Sequence, residues 1–333
     1  MKALLSQAPG GPETLVLGEV ADPAPGAGEV LIAVRACGIN FLDTLIINDQ
    51  YQVRPPRPFS PGAEVAGVIA AVGPDAGDWQ PGDRVVAMLS YGGLAEQVVA
   101  DVRRTFPLPD AIGFASGAGM LIPYGTAIHA LKDRARCRAG ETMIVLGAGG
   151  GAGLAAVELG TALGLKVIGA VSGPDKAEAV RQAGAVDVVI YERAPFDRAQ
   201  SRALAESFKA AAGPDGADIV YDCVGGDYAE PALRALGWGG RYLPIGFAAG
   251  IPSLPMNLPL LKSLDICGVF YGAFTERDPA RNAELVAELM DLAAAGRIAR
   301  AAPQAFALQR GGEAIAALAG RTAIGKVVVT IGD

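Results

Sequence analysis

Histidine and cysteine are scarce in this 333-residue chain, which has one histidine, His129, and four cysteines. The cysteines, Cys37, Cys137, Cys223 and Cys267, lie far apart and form no CxxC pair. Protein zinc sites are usually built from closely spaced cysteines and histidines, so this composition argues against a bound metal. Widely separated cysteines also argue against a disulfide framework. Together with an opening MKALLSQAPG that lacks signal-peptide character, they predict a cytoplasmic protein.

Charged residues are also few: they make up 19% of the chain, the formal net charge is −7, and no block of like charge occurs. Nucleic-acid surfaces need clustered lysines and arginines, so the sequence predicts no nucleic-acid partner. Residues 111–131 contain no charged side chain, but four glycines and Pro123 interrupt them. Such a stretch makes a poor membrane helix, and we predict a buried connection between domains and no membrane partner.

Short apolar runs separated by turn residues fill the first part of the chain. They lie at residues 29–37, 64–73, 82–89 and 94–101, and proline, glycine and aspartate stand between them. Strands spaced in this way predict a compact β-rich domain.

The pattern changes after Gly140, where apolar runs alternate with helical stretches. The predicted strands cover residues 142–146, 165–171, 186–191, 217–222, 240–246 and 265–270. Strands that alternate with crossover helices predict an α/β fold with a doubly wound parallel sheet. The chain then ends with predicted helices at 279–296 and 311–320 and a strand at 325–331.

A glycine-rich loop follows the first of these strands. From Gly147 to Gly153, five of the seven residues are glycine and two are alanine. Glycine in this position permits a tight turn and lets the backbone contact a pyrophosphate, which the N–H groups of the following helix then bind. A strand before the loop and a helix after it predict a dinucleotide site.

The end of the second predicted strand bears on which dinucleotide binds. No carboxylate stands there to bind a ribose 2′-hydroxyl; instead Ser172 and, after Pro174 and Asp175, Lys176 follow the strand. A hydroxyl and a cation suit a 2′-phosphate, so these residues favour NADPH. The alternative is that Lys176 is a solvated side chain in a helix, and Asp175 leaves NADH open.

Several separated motifs together resemble one known family. They are GINFLDTL (38–45), PGAEVAGVI (61–69), PYGTAIHAL (123–131), VLGAGGGAGLAAVELGTALG (145–164), IVYDCVGGD (219–227) and GGRYLPIGFAAG (239–250). In this order they resemble the zinc-independent, ζ-crystallin-like quinone oxidoreductases of the medium-chain dehydrogenase/reductase superfamily. The resemblance implies a Rossmann doubly wound parallel sheet inserted in a GroES-like β-rich catalytic domain. The catalytic domain would comprise residues 1–125 and 266–333, and the NADP-binding domain residues 126–265. It also implies a homodimer, paired through residues 265–270.

The resemblance further implies which residues take part in the reaction. In zinc alcohol dehydrogenases the positions that match Asn40 and Ala63 hold a cysteine and a histidine that bind zinc. Neither ligand is present here, so the resemblance implies that no residue of this chain binds a metal. Tyr51 matches a tyrosine that lines the cleft and donates a proton in related enoyl-thioester reductases; the alternative is a surface tyrosine that packs on prolines. Asn40 would orient a substrate carbonyl beside the nicotinamide, and Asp43 would hold the turn at Asn40.

The cofactor residues are implied in the same way. The resemblance places Thr126 near the nicotinamide and Tyr191 with Ser172 and Lys176 at the 2′-phosphate. The remaining predicted contacts to the cofactor come from Asn40, Gly150, Gly151, Ala152, Gly153, Gly246, Phe247, Phe270 with Tyr271, and Lys326. His129 is expected to be a core residue.

The function expected from these residues is that of an NADPH:quinone oxidoreductase, a hydride-transferring reductase of quinones or related conjugated carbonyls. The first alternative is an enoyl-CoA or enal alkene reductase with Tyr51 as the proton donor. The second is a structural or regulatory protein that binds NADPH without turnover. Motifs do not fix the loops that line a substrate cleft, so the sequence leaves the substrate open.

Overall fold

A computed structural model describes residues 1–332. The chain forms two compact units. The first unit contains Met1–Ile122 and the described residues from Phe274 onward, and the second contains Pro123–Ala273. These units are defined by compactness alone, and the domain boundaries expected at residues 125 and 265 stay predictions.

The first unit is built around a seven-stranded sheet. Its strands, together with a separate pair β1 and β2, are β1 (Lys2–Leu5), β2 (Val16–Glu19), β3 (Glu29–Ile39), β4 (Glu64–Val72), β5 (Arg84–Met88), β6 (Gln97–Asp101), β7 (Thr105–Pro107), β14 (Gln304–Ala307) and β15 (Val327–Thr330). The order in the sheet is β14-β15-β3-β4-β5-β7, and β6 pairs with β3. In β3, Val30, Ile32 and Val34 alternate with less buried residues and point into the core, as expected for a strand. The helices of this unit are α1 (Phe41–Ile46), α2 (Phe114–Gly117), α10 (Pro279–Ala294) and α11 (Gly311–Ala319).

The second unit contains a six-stranded sheet with the strands β8 (Thr142–Leu146), β9 (Lys166–Val171), β10 (Asp187–Ile190), β11 (Ala217–Asp222), β12 (Leu236–Pro244) and β13 (Asp265–Ile266). The sheet is parallel throughout, and its order is β10-β9-β8-β11-β12-β13. The helices of this unit are α4 (Gly151–Ala162), α5 (Pro174–Gln182), α6 (Arg198–Ala212), α7 (Ala229–Ala235) and α8 (Asn257–Lys262). Two further helices, α3 (Leu121–Ile128) and α9 (Tyr271–Arg277), contain the residues at which the chain passes from one unit to the other.

The strand order places β8 beside β11, so the chain winds outward in opposite directions from this pair. This reversal is the topological switch point of a doubly wound sheet, where ligands bind outside the carboxyl ends of the strands. The order confirms the predicted doubly wound sheet.

The structure corrects the predicted length of the last parallel strand. Residues 265–270 were expected to be one strand, but β13 ends at Ile266. The amide of Cys267 still donates to Tyr242 O at 2.9 Å, after which the chain leaves the sheet and turns into α9. The uncharged stretch 111–131 folds into α2, α3 and the beginning of a π-helical turn, His129–Arg134. No helix in the described part of the chain is long and apolar enough to cross a membrane.

Candidate cofactor and reaction site

The glycine-rich loop joins β8 to α4 at the carboxyl edge of the parallel sheet. Gly147 has a φ of +71°, which glycine adopts without strain. A Cβ atom at Gly153 would overlap Gly147 O, so glycine is required there to let α4 begin against the end of β8. Gly150 occupies the N-cap position of α4 and has no side chain with which to cap the first N–H groups. Those N–H groups lie at the positive end of the helix and suit an anion.

Gly150 differs from Gly153 because packing within the protein does not require it. A Cβ atom built at Gly150 would have Gly147 O as its nearest atom beyond its chain neighbours, at 3.6 Å, an ordinary contact. Its φ of −85° and ψ of 169° suit any residue. A glycine that the fold does not need fits a position that a ligand approaches closely.

The side chain of Lys176 lies over this loop. A Cβ atom at Gly149 would stand 2.8 Å from Lys176 Cβ and 2.9 Å from Lys176 Cδ, so the lysine stem occupies the space that a side chain at 149 would take. Ser172 directly follows β9, the strand next to β8, and is partly exposed. The structure therefore brings two of the three residues predicted at the 2′-phosphate to the same sheet edge as the loop.

Tyr191, the third residue predicted at the 2′-phosphate, is 8% exposed and belongs to the core of the second unit. Its ring centroid lies 4.9 Å from that of Tyr228. Burial raises the pKa of the Tyr191 hydroxyl, and a backbone hydrogen bond from Gly147 opposes this shift in part. Tyr191 thus packs mainly within the core of the second unit. Its contact with a 2′-phosphate stays a prediction.

Asp222, which the sequence analysis did not single out, fixes the turn after β11. Its carboxylate accepts the amide protons of Val224 at 2.7 Å and Gly225 at 2.9 Å, and it also accepts the hydroxyl of Tyr242. Burial raises the pKa of Asp222, while these three donors lower it. The sequence signal was an aspartate at the end of a predicted strand, directly before the segment CVGG (223–226).

The turns after β11 and β12 are joined by backbone hydrogen bonds. Ala249 N donates to Val224 O, and Gly226 N donates to Gly250 O, each at 2.7 Å. The predicted cofactor residues Gly246 and Phe247 lie in the turn after β12, and the Phe247 side chain is 49% exposed. The loops after β8, β11 and β12 all lie at the carboxyl edge of the sheet, around its switch point.

A second cluster of polar residues, in the first unit, contains two of the predicted site residues. The ammonium of Lys326 donates to Glu64 Oε1 at 2.6 Å, to Asn40 Oδ1 at 2.8 Å and to Ile39 O at 2.9 Å. These contacts engage all three of its N–H donors. Glu64 is 1% exposed, so the lysine compensates a buried carboxylate. Glu64 was missed by sequence analysis, although it directly follows Ala63, which matches a zinc-ligand position.

Asn40 is held from several sides. Its side-chain amide donates to Glu64 Oε1 at 2.9 Å and to Gly38 O at 3.4 Å. Asp43 accepts the backbone N–H of Asn40 at 2.8 Å and that of Gly62 at 2.9 Å, which confirms its expected role in holding the Asn40 turn. Burial raises the pKa of Asp43 to about 6, although both backbone donors oppose the shift. The amide of Asn40 is thus already bonded within the protein, and its action on a substrate carbonyl stays a prediction.

Tyr51 lies in the same unit and packs, partly buried, against its hydrophobic core. Burial raises the pKa of its hydroxyl, and the negative charge of Asp43 raises it further. The phenol therefore keeps its proton at neutral pH and can act as a hydrogen-bond donor.

Two of the remaining predicted residues differ in exposure. Phe270 is 61% exposed, whereas Tyr271 is buried and its hydroxyl lies against Gly125. His129 is 7% exposed, and its Nδ1 lies 3.0 Å from Asp133 Oδ2.

Within residues 1–332 no group of three or more histidine, cysteine, aspartate or glutamate side chains is placed to hold a metal ion.

Comparison with known proteins gives matches to both parts of the chain. Residues 26–110 match the alcohol dehydrogenase GroES-like domain, and residues 151–291 match the zinc-binding dehydrogenases. Rat quinone oxidoreductase-like protein 2 is 34% identical over 321 residues, 96% of this chain and 89% of the rat protein. Human quinone oxidoreductase is 35% identical over 271 residues, 81% of this chain and 80% of the human protein.

Solved structures show the same similarity. A mycobacterial protein complexed with NADPH has a TM-score of 0.90 at 32% identity and is covered over 99% of both chains. Escherichia coli quinone oxidoreductase complexed with NADPH has a TM-score of 0.88 at 28% identity, over 99% of this chain and 100% of that chain. These similarities extend over both units and confirm the Rossmann and GroES-like fold class.

Proposed function

This chain is an oxidoreductase of the quinone oxidoreductase family in the medium-chain dehydrogenase/reductase superfamily, and on that premise we propose that it transfers hydride from NADPH to quinones or related conjugated carbonyls. The observation that carries the proposal is the loop at the switch point, where the fold does not need a glycine at position 150 and where Lys176 lies over Gly149. Similar structures that hold NADPH support the choice of cofactor.

The residues of the chain have separate tasks in this proposal. Backbone N–H groups of Gly151, Ala152 and Gly153 at the start of α4 bind the pyrophosphate, and Ser172 with Lys176 binds the 2′-phosphate. When bound, NADPH supplies the hydride. Catalysis then depends on positioning and on hydrogen bonds to the substrate, for which Tyr51 is the proposed donor.

The experiment that tests this proposal follows NADPH absorbance with quinones, enals and enoyl-CoA thioesters at matched concentrations. We expect turnover with quinones to be fastest. Faster turnover of an enoyl thioester would replace the proposal with alkene reduction, for which an acid such as Tyr51 is needed. Tight NADPH binding without turnover of any electrophile would indicate a structural or regulatory protein that binds NADPH without catalysis.

Lys176→Ala should lower the affinity for NADPH by about tenfold or more, since a charge-assisted hydrogen bond contributes about 1.5–3 kcal/mol. NADH lacks the 2′-phosphate, so its affinity should hardly change. Both dissociation constants can be measured by titration calorimetry. Lys166→Ala is the matched control, because it removes the same charge from the opposite end of β9. Equal losses for NADPH and NADH would contradict the assignment of Lys176.

We further propose that the enzyme works without zinc, because Asn40 and Ala63 stand where the alcohol dehydrogenases have zinc ligands. Dialysis against a strong chelator should then leave turnover and the melting temperature unchanged. The check is metal analysis of the purified protein together with activity before and after dialysis. Stoichiometric zinc that is lost in parallel with activity would overturn this proposal.

A homodimer formed through the edge strand β13 is also part of the proposal. Leu260 and Leu261 of α8, which precedes this strand, are 77% and 62% exposed, and Ile266 in the strand is 41% exposed. A strand edge beside exposed apolar side chains can pair with a second copy. Sedimentation equilibrium at micromolar concentration should show a dimer, and a monomer would refute this part of the proposal.

A further inference from the structure

A buried hydrogen bond in the second unit connects α3 to α4. The hydroxyl of Tyr124 donates to Glu158 Oε2 at 2.6 Å, and the two residues are 9% and 4% exposed. Glu158 is the eighth residue of α4, the helix that begins in the glycine-rich loop. A carboxylate is expensive to bury, so a short bond from a phenol is a strong constraint on both helices.

The part of α3 in the second unit is also held by Tyr271. The hydroxyl of this tyrosine lies against Gly125, where a Cβ atom would overlap its ring and oxygen. Within residues 123–131, all of them described, Thr126 is the only one that is not buried. Successive helical residues are rotated by about 100°, so Tyr124 and Thr126 point to nearly opposite sides of α3. When Tyr124 is fixed on the inner side, Thr126 is presented on the outer side.

We propose that Tyr124 and Glu158 are positioning residues that set the place of Thr126 relative to the glycine-rich loop. This inference rests on the proposed NADPH-dependent function, in which Thr126 lies near the nicotinamide and the loop binds the pyrophosphate. The nicotinamide and the pyrophosphate belong to one cofactor molecule of limited length and must reach both places at once. A fixed distance between these places lets the second contact form without further loss of conformational freedom.

A directional hydrogen bond fixes the orientation of a helix more closely than apolar packing alone. Apolar side chains allow a helix to slide or rotate slightly at little cost, because their contacts have no preferred direction. The bond from a phenol to a carboxylate has a narrow range of length and angle, so it fixes the rotation of α3 about its own axis.

The test compares NADPH with adenosine 2′,5′-bisphosphate, which carries the 2′-phosphate and adenine but no nicotinamide. Tyr124→Phe keeps the ring and deletes the hydroxyl. We expect it to lower NADPH affinity about tenfold, within the range of about 5- to 150-fold that is typical of coupling between sites, and to leave the affinity for the fragment unchanged. Glu158→Gln keeps an acceptor of the same shape and should lose less than about threefold. A role that only stabilises the fold would lower the melting temperature and affect both ligands alike.

A double-mutant cycle identifies the residue through which the pair acts. If the pair acts through Thr126, adding Thr126→Ala to Tyr124→Phe should cost little beyond either single change. Should Tyr124→Phe not fold, Glu158→Asp, whose shorter side chain withdraws the carboxylate from Tyr124, should show the same selective loss. Equal losses for NADPH and the fragment, or no loss for either, would overturn the inference. A wild-type protein that binds the fragment and NADPH equally weakly would refute the proposed function instead.

Discussion

Gly150→Ala should lower the affinity for NADPH by roughly 5- to 150-fold, the equivalent of about 1–3 kcal/mol for forcing a methyl group into an occupied space. The protein itself has room for this methyl group, since the nearest atom beyond the chain neighbours would lie 3.6 Å away. The backbone angles at Gly150 also suit alanine, so the free energy of unfolding should fall by no more than about 1 kcal/mol, the preference for glycine over alanine at a helix N-cap. The loss would therefore come from the bound pyrophosphate alone. Titration of NADPH and thermal unfolding measure the two effects separately.

Two other glycines make this experiment interpretable. Gly113→Ala is the matched control, because Gly113 also occupies a helix N-cap position, that of α2, and no heavy atom of the described chain beyond its neighbours lies within 4 Å of a Cβ there. It should leave NADPH binding unchanged and alter stability no more than Gly150→Ala does. Gly153→Ala should reduce both, since its methyl group would overlap Gly147 O and push α4 from β8. If Gly150→Ala binds NADPH like the wild type, the loop only turns the chain, and the cofactor site must be placed elsewhere.

Much of the fold could be predicted because its strands have strong local patterns. The strands at 142–146 and 217–222 occur at their predicted bounds, and helix α10 begins at the predicted residue 279. Fully buried parallel strands read as continuous apolar runs, and flanking glycines and charges mark their ends. The short strands β1, β2, β7 and β14 were not predicted, since three or four residues are too few to show a period.

The contacts at the candidate site could be predicted only in part. The loop glycines and Lys176 belong to local motifs, which a sequence reveals. The bonds from Lys326 to Asn40 and Glu64 join residues 286 and 262 positions apart, and no local pattern indicates such a pair. The hydrogen bond from Tyr124 to Glu158, across 34 positions, was missed for the same reason. Polar partners of this kind become visible only when the topology brings their elements together.

Tyr51→Phe should distinguish quinone reduction from alkene reduction. The variant keeps the ring and its packing against the core and removes only the hydroxyl. Protons for a reduced quinone can come from water to its oxygens, so no strictly placed acid is needed. We therefore expect quinone turnover to fall by less than about tenfold, short of the usual contribution of a general acid. Steady-state rates of NADPH oxidation provide the measurement.

Alkene reduction makes a different demand on the same hydroxyl. A proton must be delivered to carbon on one face, and a positioned acid typically contributes about 10²–10⁴-fold to that step. Burial and the charge of Asp43 raise the pKa of the Tyr51 hydroxyl, which makes it a weaker acid than an ordinary phenol, so it would deliver its proton to a strongly basic centre such as the carbon of an enolate. Any enoyl thioester that the wild type reduces should therefore be turned over about 10²–10⁴-fold more slowly by Tyr51→Phe.

Tyr91→Phe serves as the control, since this tyrosine of the same unit is 39% exposed and its ring centroid lies 5.8 Å from that of Phe59. It should leave both activities unchanged. The protein is an alkene reductase if the wild type reduces an enoyl thioester faster than every quinone and Tyr51→Phe turns that thioester over much more slowly. An unchanged rate on every substrate would mean that Tyr51 only packs against the core. Proton delivery would then need a donor other than Tyr51. Lys326 and Asn40 are poor candidates, because the N–H groups of Lys326 and the side-chain amide of Asn40 are already hydrogen-bonded within the protein.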